Sequence, residues 1–304
     1  MNKIRSLYNI VYNRLGPTKN KWTLEKLIYG NMQGYKANHG YEFDIYQPDL
    51  FTEKIQWYKL FYQFPEMAEL VDKYLFKEYI EKRLGKGYTI PLYGSWTNIH
   101  SLENEWGNLP EEFVLKSNVQ SDGKYIKFIQ NKSQMDFHEI KKELKQWLKV
   151  RNTLINSYCR AYYQATPRII AEKYEKGIGN QLYDYKIFCF NGEPTYVYVA
   201  SDRFISDDHN ISFYDLDWNM LNVKYGNHKN EFVKKPTYFN EMLNIAKKLS
   251  VDFPFIRVDF FETSEQLYVA ELTLYPGGGL VEYNPVSFNK QLGDMFILPK
   301  QQES

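Results

Sequence analysis

Cysteine is scarce in this chain of 304 residues, and its scarcity excludes several kinds of chemistry. Only Cys159 and Cys189 are present, each among apolar or aromatic neighbours and without a CxxC motif. A disulfide framework needs several paired cysteines, and a zinc site needs clustered ligands, so both are excluded and two buried free thiols are expected. Redox chemistry and a cysteine nucleophile are therefore not predicted.

An excess of one charge sign and long apolar runs are also lacking. The chain has 38 Lys and Arg residues against 37 Asp and Glu residues, a net charge of +1. This balance gives no general attraction to nucleic acid, so no nucleic-acid partner is predicted. The apolar runs are far shorter than the ~18 residues of a membrane span, and the N-terminus lacks an apolar signal-peptide core. We expect a cytoplasmic protein.

The segment 1–24 contains basic residues and no acidic one. Apolar residues recur there at helical spacing until Gly16-Pro17, which predicts a short basic amphipathic helix. Two interpretations of residues 1–24 stay open. The helix packs on its own domain with solvated lysines, or it associates weakly with an anionic membrane surface at the inner face of the membrane.

Hydrophobic patterns predict three regions. Residues 18–85 are mostly helical in pattern, with TEKIQWYKLFYQ and PEMAELVDKYLFKEYIEKRLG each showing apolar residues three and four apart. Short apolar runs broken by Pro, Gly and Asn follow, together with amphipathic helices at 135–150 and 237–250. We predict an α+β protein with a helical region at 1–85, a small lobe at 86–167 and a larger lobe at 168–304. The cleft between the lobes is the expected site.

The segment from Phe255 to Gly279, FIRVDFFETSEQLYVAELTLYPGGG, is the most informative stretch. Two apolar runs flank the polar joint 263–266, which predicts two antiparallel strands followed by a glycine-rich turn. Each strand carries a carboxylate among apolar residues, Asp259 and Glu271. A carboxylate in such surroundings must be paired or bound to a cation, and two on neighbouring strands form an oxygen site suited to Mg²⁺.

Strand alternation argues against this metal site. The two carboxylates share a face of the sheet only if an odd number of residues joins the strands, and the joint 263–266 has four. We therefore expect Asp259 and Glu271 on opposite faces. In the alternative interpretation, Asp259 pairs with Arg257 and Glu271 is exposed, since structural ion pairs are common.

Lys116 stands at the end of the apolar run FVLKSN, directly before a polar segment. That segment contains Ser121, Gly123 and Lys124, which predict a turn whose backbone N–H groups and lysine cover a phosphate. The alternative is an exposed lysine at a strand edge, followed by an ordinary polar turn. The sequence contains no GxxxxGK[ST] loop and no GxGxxG motif.

The apolar run RIIA leads into Glu172, Lys173 and Tyr174. Backbone groups at the end of a strand between two lobes can bind the edge of an adenine, and a carboxylate there can hold ribose hydroxyls. A site for several phosphate oxygens also needs cations from several directions. Other predicted strands supply such cations, namely Lys186, Arg203 and Arg257.

Patterns for other catalytic centres are weak or absent. The five histidines form no HxxxH or HExxH motif, and no GxSxG motif is present, so a zinc site and serine catalysis are not predicted. A DxD-type motif of the kind that glycosyltransferases use occurs at Asp215–Asp217. It lies in a polar segment next to a tryptophan, which indicates a turn.

Taken together, the segments FVLKSN, IIAEKY, DYKIFCFNGEPTYVYVASDR, FIRVDFFE and ELTLYPGGG, in this order, resemble the TupA-like branch of the ATP-grasp superfamily, named for teichuronopeptide synthesis. The resemblance covers roughly residues 50–300. It implies an ATP-grasp fold of two α+β lobes with ATP between them, preceded by a helical segment. It also implies an ATP- and Mg²⁺-dependent ligase that forms an amide from a carboxylate and an amine through an acyl phosphate. For this branch it implies action on cell-surface polysaccharide or polypeptide-decorated polymers. The carboxylate that we expect is a uronic acid or similar acid of a bacterial capsule or other surface polysaccharide.

The resemblance also implies a role for each candidate residue. The nucleotide-binding set, which includes a mobile lid at 121–124, comprises Lys116, Ser121, Gly123, Lys124, Glu172, Lys173, Tyr174 and Lys186. The metal ligands are Asp259, Glu271 and Thr273, the last at a place where relatives commonly have Asn. The catalytic cations, which neutralise charge at the reacting centre, are Arg257 and Lys186, and we add Arg203 because it is a further cation on another predicted strand.

Two other function classes stay open. One is a glycosyltransferase or phosphoryl transferase of the same pathway. The other is a non-catalytic nucleotide-binding relative, suggested by Thr273 and by Val119-Gln120, where relatives in this branch tend to carry His-Gly. For the ligase, the expected partners are a small-molecule or sugar-linked carboxylate and an amine.

Overall fold

The computed structural model describes residues 24–62, 64, 66–119, 125–149, 165–177, 183–201 and 210–299. Its helices are α1 (Leu24–His39), α2 (Phe51–Phe61), α3 (Met67–Val71), α4 (Leu75–Leu84), α5 (Ile99–Glu105), α6 (Phe137–Trp147), α7 (Phe239–Ser250) and α8 (Val286–Met295). Its strands are β1 (Leu92–Trp96), β2 (Phe113–Ser117), β3 (Ile126–Ile129), β4 (Ile169–Lys173), β5 (Asp184–Phe190), β6 (Glu193–Ser201), β7 (Asn210–Tyr214), β8 (Met220–Leu221), β9 (Lys224–Tyr225), β10 (Phe255–Glu262), β11 (Leu267–Thr273) and β12 (Tyr283–Asn284). Among the described helices, none has the length and apolar character that crossing a membrane requires.

The small lobe is a four-stranded antiparallel sheet in the order β1-β4-β2-β3. The amphipathic helix α6 buries Ile140, Leu144 and Trp147 in the core of this lobe. Strand β4 adds Ile169 to the same core and pairs with both β1 and β2. The small-lobe sheet therefore extends to residue 173, beyond the predicted boundary at 167, because the apolar side chains of β4 complete its core.

The large lobe is built on a six-stranded antiparallel sheet in the order β11-β10-β5-β6-β7-β8. Helix α7 lies against β5, β6 and β10 and buries its apolar residues there. Helix α2 contacts the same sheet through Phe51, whose ring centroid lies 6.0 Å from Phe188 and 5.0 Å from Phe255. Because side chains alternate along a strand, Phe188 and Phe255 share their face with Lys186 and Arg257. Apolar packing thus covers part of the face that carries charge.

Three of the helices before the small lobe, α2, α3 and α4, belong to the large-lobe core. Phe51, Ile55 and Tyr58 of α2 pack in the same cluster as the large sheet, as do buried residues of α3 and α4. The segment 65–85, whose helical pattern is continuous in the sequence, forms two helices, α3 and α4. Asp72 separates them, since its Oδ1 accepts hydrogen bonds from the N–H groups of Tyr74 (2.8 Å) and of the following residue. The predicted basic helix before Gly16-Pro17 lies outside the described residues.

The hairpin at 255–273 forms as expected, but a β-bulge changes which side chains share a face. The pairing Phe260↔Val269 is followed by Asp259↔Glu271, which leaves Ala270 as an extra residue in β11. The bulge reverses the alternation, so Glu271 stands directly opposite Asp259. The expectation of opposite faces is wrong, because counting residues in the joint assumes a regular ladder.

A glycine turn at 276–279 follows β11 and is held by helix α2. Its last three residues, 277–279, all have positive φ, at 56°, 63° and 66°. The Gln56 amide donates to the carbonyl oxygens of both Gly278 and Gly279 at 2.9 Å, and the buried Lys59 ammonium donates to that of Gly278 at 2.9 Å. The exit of β11 is therefore fixed by side chains of a helix that lies far earlier in the chain.

Substitutions at two neighbouring glycines, Gly278 and Gly279, test whether helix α2 and the turn must pack in direct contact. A Cβ on Gly279 would lie 2.8 Å from the Thr52 carbonyl oxygen and would also meet Gln56, whereas a Cβ on Gly278 finds no atom closer than 3.9 Å. Both positions have positive φ, so Gly278→Ala should cost only the backbone strain of about 1–2 kcal/mol. Gly279→Ala should cost about 3 kcal/mol or more, because overpacking adds to the strain. Urea unfolding of both variants measures the difference, and equal losses would contradict it.

Candidate active site

Charged side chains gather on one face of the large sheet where β5, β10 and β11 lie side by side. Lys186, Asp259 and Glu271 are cross-strand partners in one row. Arg257 and Thr273 are partners in the next row on the same face. Residues directly opposite one another share a face, so the sheet brings these five predicted site residues together.

Asp259 is the centre of a buried ion cluster. Its carboxylate is 1% exposed and accepts two hydrogen bonds from Arg257, from Nε to Oδ1 and from Nη2 to Oδ2, both at 2.6 Å. Lys186 donates to the same Oδ2 at 2.6 Å. Burial would lower the pKa of Arg257, but the charge of Asp259 outweighs this and raises it above its ordinary value. The ion pair expected in the alternative interpretation is present.

Glu271 differs from its neighbour. It is half-buried, and its side chain makes no hydrogen bond or ion pair with any residue of the described ranges. Its negative charge nevertheless acts on Arg257. Thr273, two residues along, accepts a hydrogen bond from Arg257 Nη2 at 3.1 Å through Oγ1. The carboxylate of Glu271 is therefore free to bind a cation on the face that carries the ion cluster.

The oxygen atoms on this face are suited to Mg²⁺. A carboxylate has about four lone-pair positions, and the three hydrogen bonds to Asp259 occupy only three of them. Asp259 can therefore accept one more contact, and Thr273 and Glu271 also have free acceptor positions. These are hard oxygen donors. No group of three or more His, Cys, Asp or Glu residues in the described ranges makes a complete metal site. A Mg²⁺ ion here would need water or phosphate oxygens as further ligands, which is its usual behaviour.

A cavity of about 130 Å³ lies between the two lobes. The predicted nucleotide-binding residues Lys116, Glu172, Lys173 and Tyr174 all line it from the small lobe. The large lobe contributes apolar residues of β10 and β11, including the bulged Ala270. The cavity is smaller than the ~300–1,000 Å³ typical of small-molecule pockets, so it suits one end of a nucleotide and leaves the remainder to the open cleft.

Glu172 joins two lysines beside this cavity. Its carboxylate, 4% exposed, lies 2.6 Å from Lys77 Nζ and 2.6 Å from Lys116 Nζ. Burial alone would raise the pKa of Glu172, but the charges of Lys116 and Lys77 outweigh it and lower the pKa to about 2. Glu172 therefore holds two ammonium groups in place at the wall of the cavity.

Lys77 is the site residue that sequence reasoning missed. It lies on α4, where it appears as one of several charged residues in a helix of ordinary amphipathic pattern. In the structure it lines the cavity, and its ammonium also donates to the Ile90 carbonyl oxygen at 2.7 Å. Burial lowers the pKa of Lys77, against the raising effect of Glu172. The local spacing of residues around Lys77 could not indicate its pairing with Glu172, which lies far from it in the sequence.

The cavity and the ion cluster are adjacent. Asp184 lines the cavity, and its Oδ2 lies 3.5 Å from the ammonium of Lys186 in the cluster. Ala270 lines the cavity as well and directly precedes Glu271. A ligand that extends from the cavity therefore reaches the oxygen and cation groups on the large sheet.

The remaining predicted features are Arg203, the lid and the DLD motif at 215–217. Arg203 and the lid residues Ser121, Gly123 and Lys124 lie outside the described residues. The DLD motif is a turn, as expected, in which the Asp215 carboxylate accepts hydrogen bonds from the backbone and side-chain N–H groups of Asn219, both at 2.8 Å.

The cysteine prediction is confirmed where it falls on described residues. Cys189 is a fully buried free thiol, and burial raises its pKa to about 12. A thiol with so high a pKa is not a nucleophile at neutral pH. Cys159 lies outside the described residues.

Comparison with known proteins gives one family match. A family model described as TupA-like ATPgrasp matches residues 53–297. No curated protein matches the chain at a significant level. The family match supports ATP with Mg²⁺ as the cofactors that the sequence predicts.

Solved structures with a similar arrangement are distant. The D-alanine–D-alanine ligase of Bacillus anthracis in complex with ATP has 16% identity and a TM-score of 0.43, over 75% of this chain and 64% of that one. The corresponding enzyme of Helicobacter pylori has 16% identity and a TM-score of 0.41, over 76% of this chain and 61% of that one. Phosphoribosylglycinamide synthetase of Anaerococcus prevotii has 15% identity and a TM-score of 0.37, over 73% and 48%. The chain thus spans about half to two-thirds of the length of these structures.

The ion pairs of Glu172 with Lys77 and Lys116 predict a specific pH dependence of the free energy of unfolding. Glu172→Gln removes the shared carboxylate partner of Lys77 and Lys116, which are half-buried, and should cost about 3 kcal/mol at pH 7. The pKa of Glu172 is depressed in the folded state, so its stabilising effect is complete above the unfolded pKa of about 4.3 and is lost as the pH falls toward 2. The stability difference between wild type and variant should shrink by about 2 kcal/mol from pH 7 to pH 3.

Urea unfolding at several pH values measures this difference. The control is Glu139→Gln, a change of an exposed carboxylate on α6. If Glu172→Gln lowers the free energy of unfolding by the same amount at pH 3 as at pH 7, the stabilising role of these ion pairs is contradicted.

Proposed function

Because the chain belongs to the TupA-like ATP-grasp family, we propose that it is an ATP- and Mg²⁺-dependent ligase that joins a carboxylate to an amine. One observation carries the proposal. The inter-lobe cavity, with two lysines at its wall, opens beside a sheet face that carries two carboxylates, a lysine and an arginine. A nucleoside triphosphate with its metal ion needs a pocket for the base, cations for the phosphates and oxygen ligands for the metal next to one another.

The small-lobe end of the site would bind the nucleoside and the nearer phosphates. Lys77 and Lys116 are held by Glu172, so their ammonium groups are oriented before a ligand arrives. The backbone at Lys173 and Tyr174 lines the same cavity and offers hydrogen-bonding groups to the base. We assign the lid role to Ser121, Gly123 and Lys124 on the family resemblance alone.

The large-lobe end would bind Mg²⁺ and the transferring group. Asp259, Glu271 and Thr273 supply oxygen ligands on one face of the sheet. Mg-ATP, when bound, would supply the γ-phosphoryl group that converts the carboxylate to an acyl phosphate with loss of ADP, and attack by the amine would then form the amide and release phosphate.

The cations of the chain would bring two anions together. A carboxylate and a polyphosphate repel each other, and Lys186 and Arg257 on the same face offset that repulsion. Lys186 is 5% exposed and Arg257 is 8% exposed, and charge interactions are stronger where water is excluded. We assign Arg203 to the same group on position in the sequence alone. Catalysis here would consist of positioning and electrostatic stabilisation, without a nucleophilic side chain.

For the substrate, we propose a uronic acid or a similar carboxylate of bacterial capsule or surface polysaccharide biosynthesis, modified in the cytoplasm, since the family resemblance implies action on cell-surface polymers. A glycosyltransferase has less support, because its DxD-type motif here is a turn whose first carboxylate is bound by Asn219. A non-catalytic relative remains the second candidate, motivated by Thr273 in the metal-ligand set.

Nucleotide binding is tested first by thermal stabilisation. A ligand that binds only the native state at 100 times its Kd adds about 2.7 kcal/mol of stability, so Mg-ATP should raise the Tm of the wild type. Glu271→Ala should abolish the Mg²⁺-dependent part of this rise and keep the part that ATP gives alone. Glu265→Ala, an exposed glutamate in the same hairpin, is the matched control and should behave as wild type. If neither ATP nor Mg²⁺ changes the Tm of the folded wild type, the nucleotide site is wrong.

Turnover separates the ligase from its alternatives. ADP release should require both a carboxylate and an amine, and Lys186→Met should lower kcat by about 10²–10³-fold, as loss of a charge-stabilising donor does. Lys247→Met, an exposed lysine on α7, is the control. Release of a nucleoside diphosphate from a sugar nucleotide would instead support a glycosyltransferase. Mg-ATP binding without any turnover would support the non-catalytic relative.

A further inference from the structure

A second concave region, a groove of about 880 Å³, lies outside the site already described. Its walls come from β8, the ribbon of β9 and β12, and the residues that connect them. Its size falls within the ~300–1,000 Å³ of small-molecule binding sites. Nothing in the proposed nucleotide or metal chemistry uses these residues, so the groove calls for a separate role.

The lining of the groove is rich in carboxamides and positively charged. Four asparagines line it, namely Asn222, Asn227, Asn230 and Asn284. Lys224 and Lys229 line it as well, and Glu282 is the one carboxylate among its described lining residues. A carboxamide both donates and accepts hydrogen bonds, as a sugar hydroxyl does. Two lysines against one carboxylate favour an anionic ligand.

An apolar patch completes this chemistry. Met220, 45% exposed, and Leu221 form part of the groove wall. Sugar rings have apolar C–H faces besides their hydroxyls, and such faces pack on apolar side chains. The wall thus combines groups for hydroxyls, for negative charge and for ring faces, which together suit an acidic, polyhydroxylated ligand.

The groove is close to the reacting centre but separated from it by one layer of chain. In the ribbon, Tyr225 pairs with Tyr283, and both are buried on its inner side. The ring of Tyr225 lies 5.5 Å from that of Tyr198, which in turn lies 5.9 Å from the guanidinium of Arg257. Lys224, the neighbour of Tyr225, points to the other side of the ribbon by strand alternation, and it lines the groove.

We infer that the groove binds the non-reacting units of an acidic, polyhydroxylated oligomer, while a neighbouring unit places its carboxylate near Arg257. The ribbon separates a sugar in the groove from Arg257, so one molecule can occupy both places only if it is longer than one unit. This inference rests on the proposed ligase function and deepens it, since it makes the acceptor an oligomeric glycan acid instead of a free sugar acid. Binding of remote units then contributes to the reaction at the centre.

Isothermal titration without nucleotide tests the groove directly. The probes are tetragalacturonate and tetraglucuronate, with the monomeric uronic acids and the neutral tetramer maltotetraose as comparisons. The wild type should bind at least one acidic tetramer ten-fold or more tightly than the monomers and maltotetraose. Absence of binding of both acidic tetramers, or equal affinity for a monomer and its tetramer, overturns the inference.

Paired substitutions locate the binding. Asn222→Ala with Lys224→Gln changes two exposed groove residues and should weaken tetramer binding ten-fold or more. The same two types of change at Asn244 and Lys248, exposed on α7, form the control and should leave binding unchanged. Unchanged tetramer affinity in the groove variant overturns the inference.

The Mg-ATP response separates this inference from the ligase proposal. The groove variant should keep the full rise in Tm with Mg-ATP, because its substitutions lie outside the nucleotide site. If that rise is intact and tetramer binding is insensitive to the substitutions, glycan binding in the groove is overturned and the nucleotide site is supported. If the wild type binds the tetramer through the groove but shows no response to Mg-ATP, glycan binding is supported and the ligase proposal fails.

Discussion

The buried carboxylate of Asp259 is the interaction on which the site depends. It is almost completely removed from solvent and is held by Arg257 and Lys186, each within 2.6 Å. Removing one partner from such a cluster costs about 3–5 kcal/mol, because it leaves an uncompensated buried charge. The three side chains therefore require one another, and their strands must stay in register. That register also sets the position of Glu271, through the bulge at Ala270.

The site is assembled from distant parts of the chain. Helix α4 contributes Lys77 to the cavity wall, and helix α2 holds the glycine turn after β11 through Gln56 and Lys59. Both helices share the large-lobe core, so the segment before the small lobe acts as a support for the site and not as an independent unit. Changes at Gln56 or Lys59 of α2, which hold the turn and do not line the cavity, should thus affect ligand binding indirectly.

Sequence patterns predicted the parts of this site that depend on local chemistry. A carboxylate in an apolar strand has few explanations, so Asp259 and Glu271 are identifiable from composition. The strand runs around Lys116 and Glu172 give a weaker signal, because a lysine at a strand edge is common. The bulge at Ala270 was not predictable, because an inserted residue in a ladder leaves no mark on composition. Lys77 was missed for a related reason, since its role depends on a tertiary contact with Glu172. The groove, too, arises only when β9 pairs with β12, a strand that follows much later in the chain.

The most direct measurement is a crystal structure of the protein with Mg²⁺ and a non-hydrolysable ATP analogue. The predicted result is a base in the inter-lobe cavity beside Lys116 and a Mg²⁺ ion about 2.0–2.1 Å from carboxylate oxygens of both Asp259 and Glu271. A nucleotide bound elsewhere, or a Mg²⁺ ion held by phosphate and water without either carboxylate, would contradict the proposed active site.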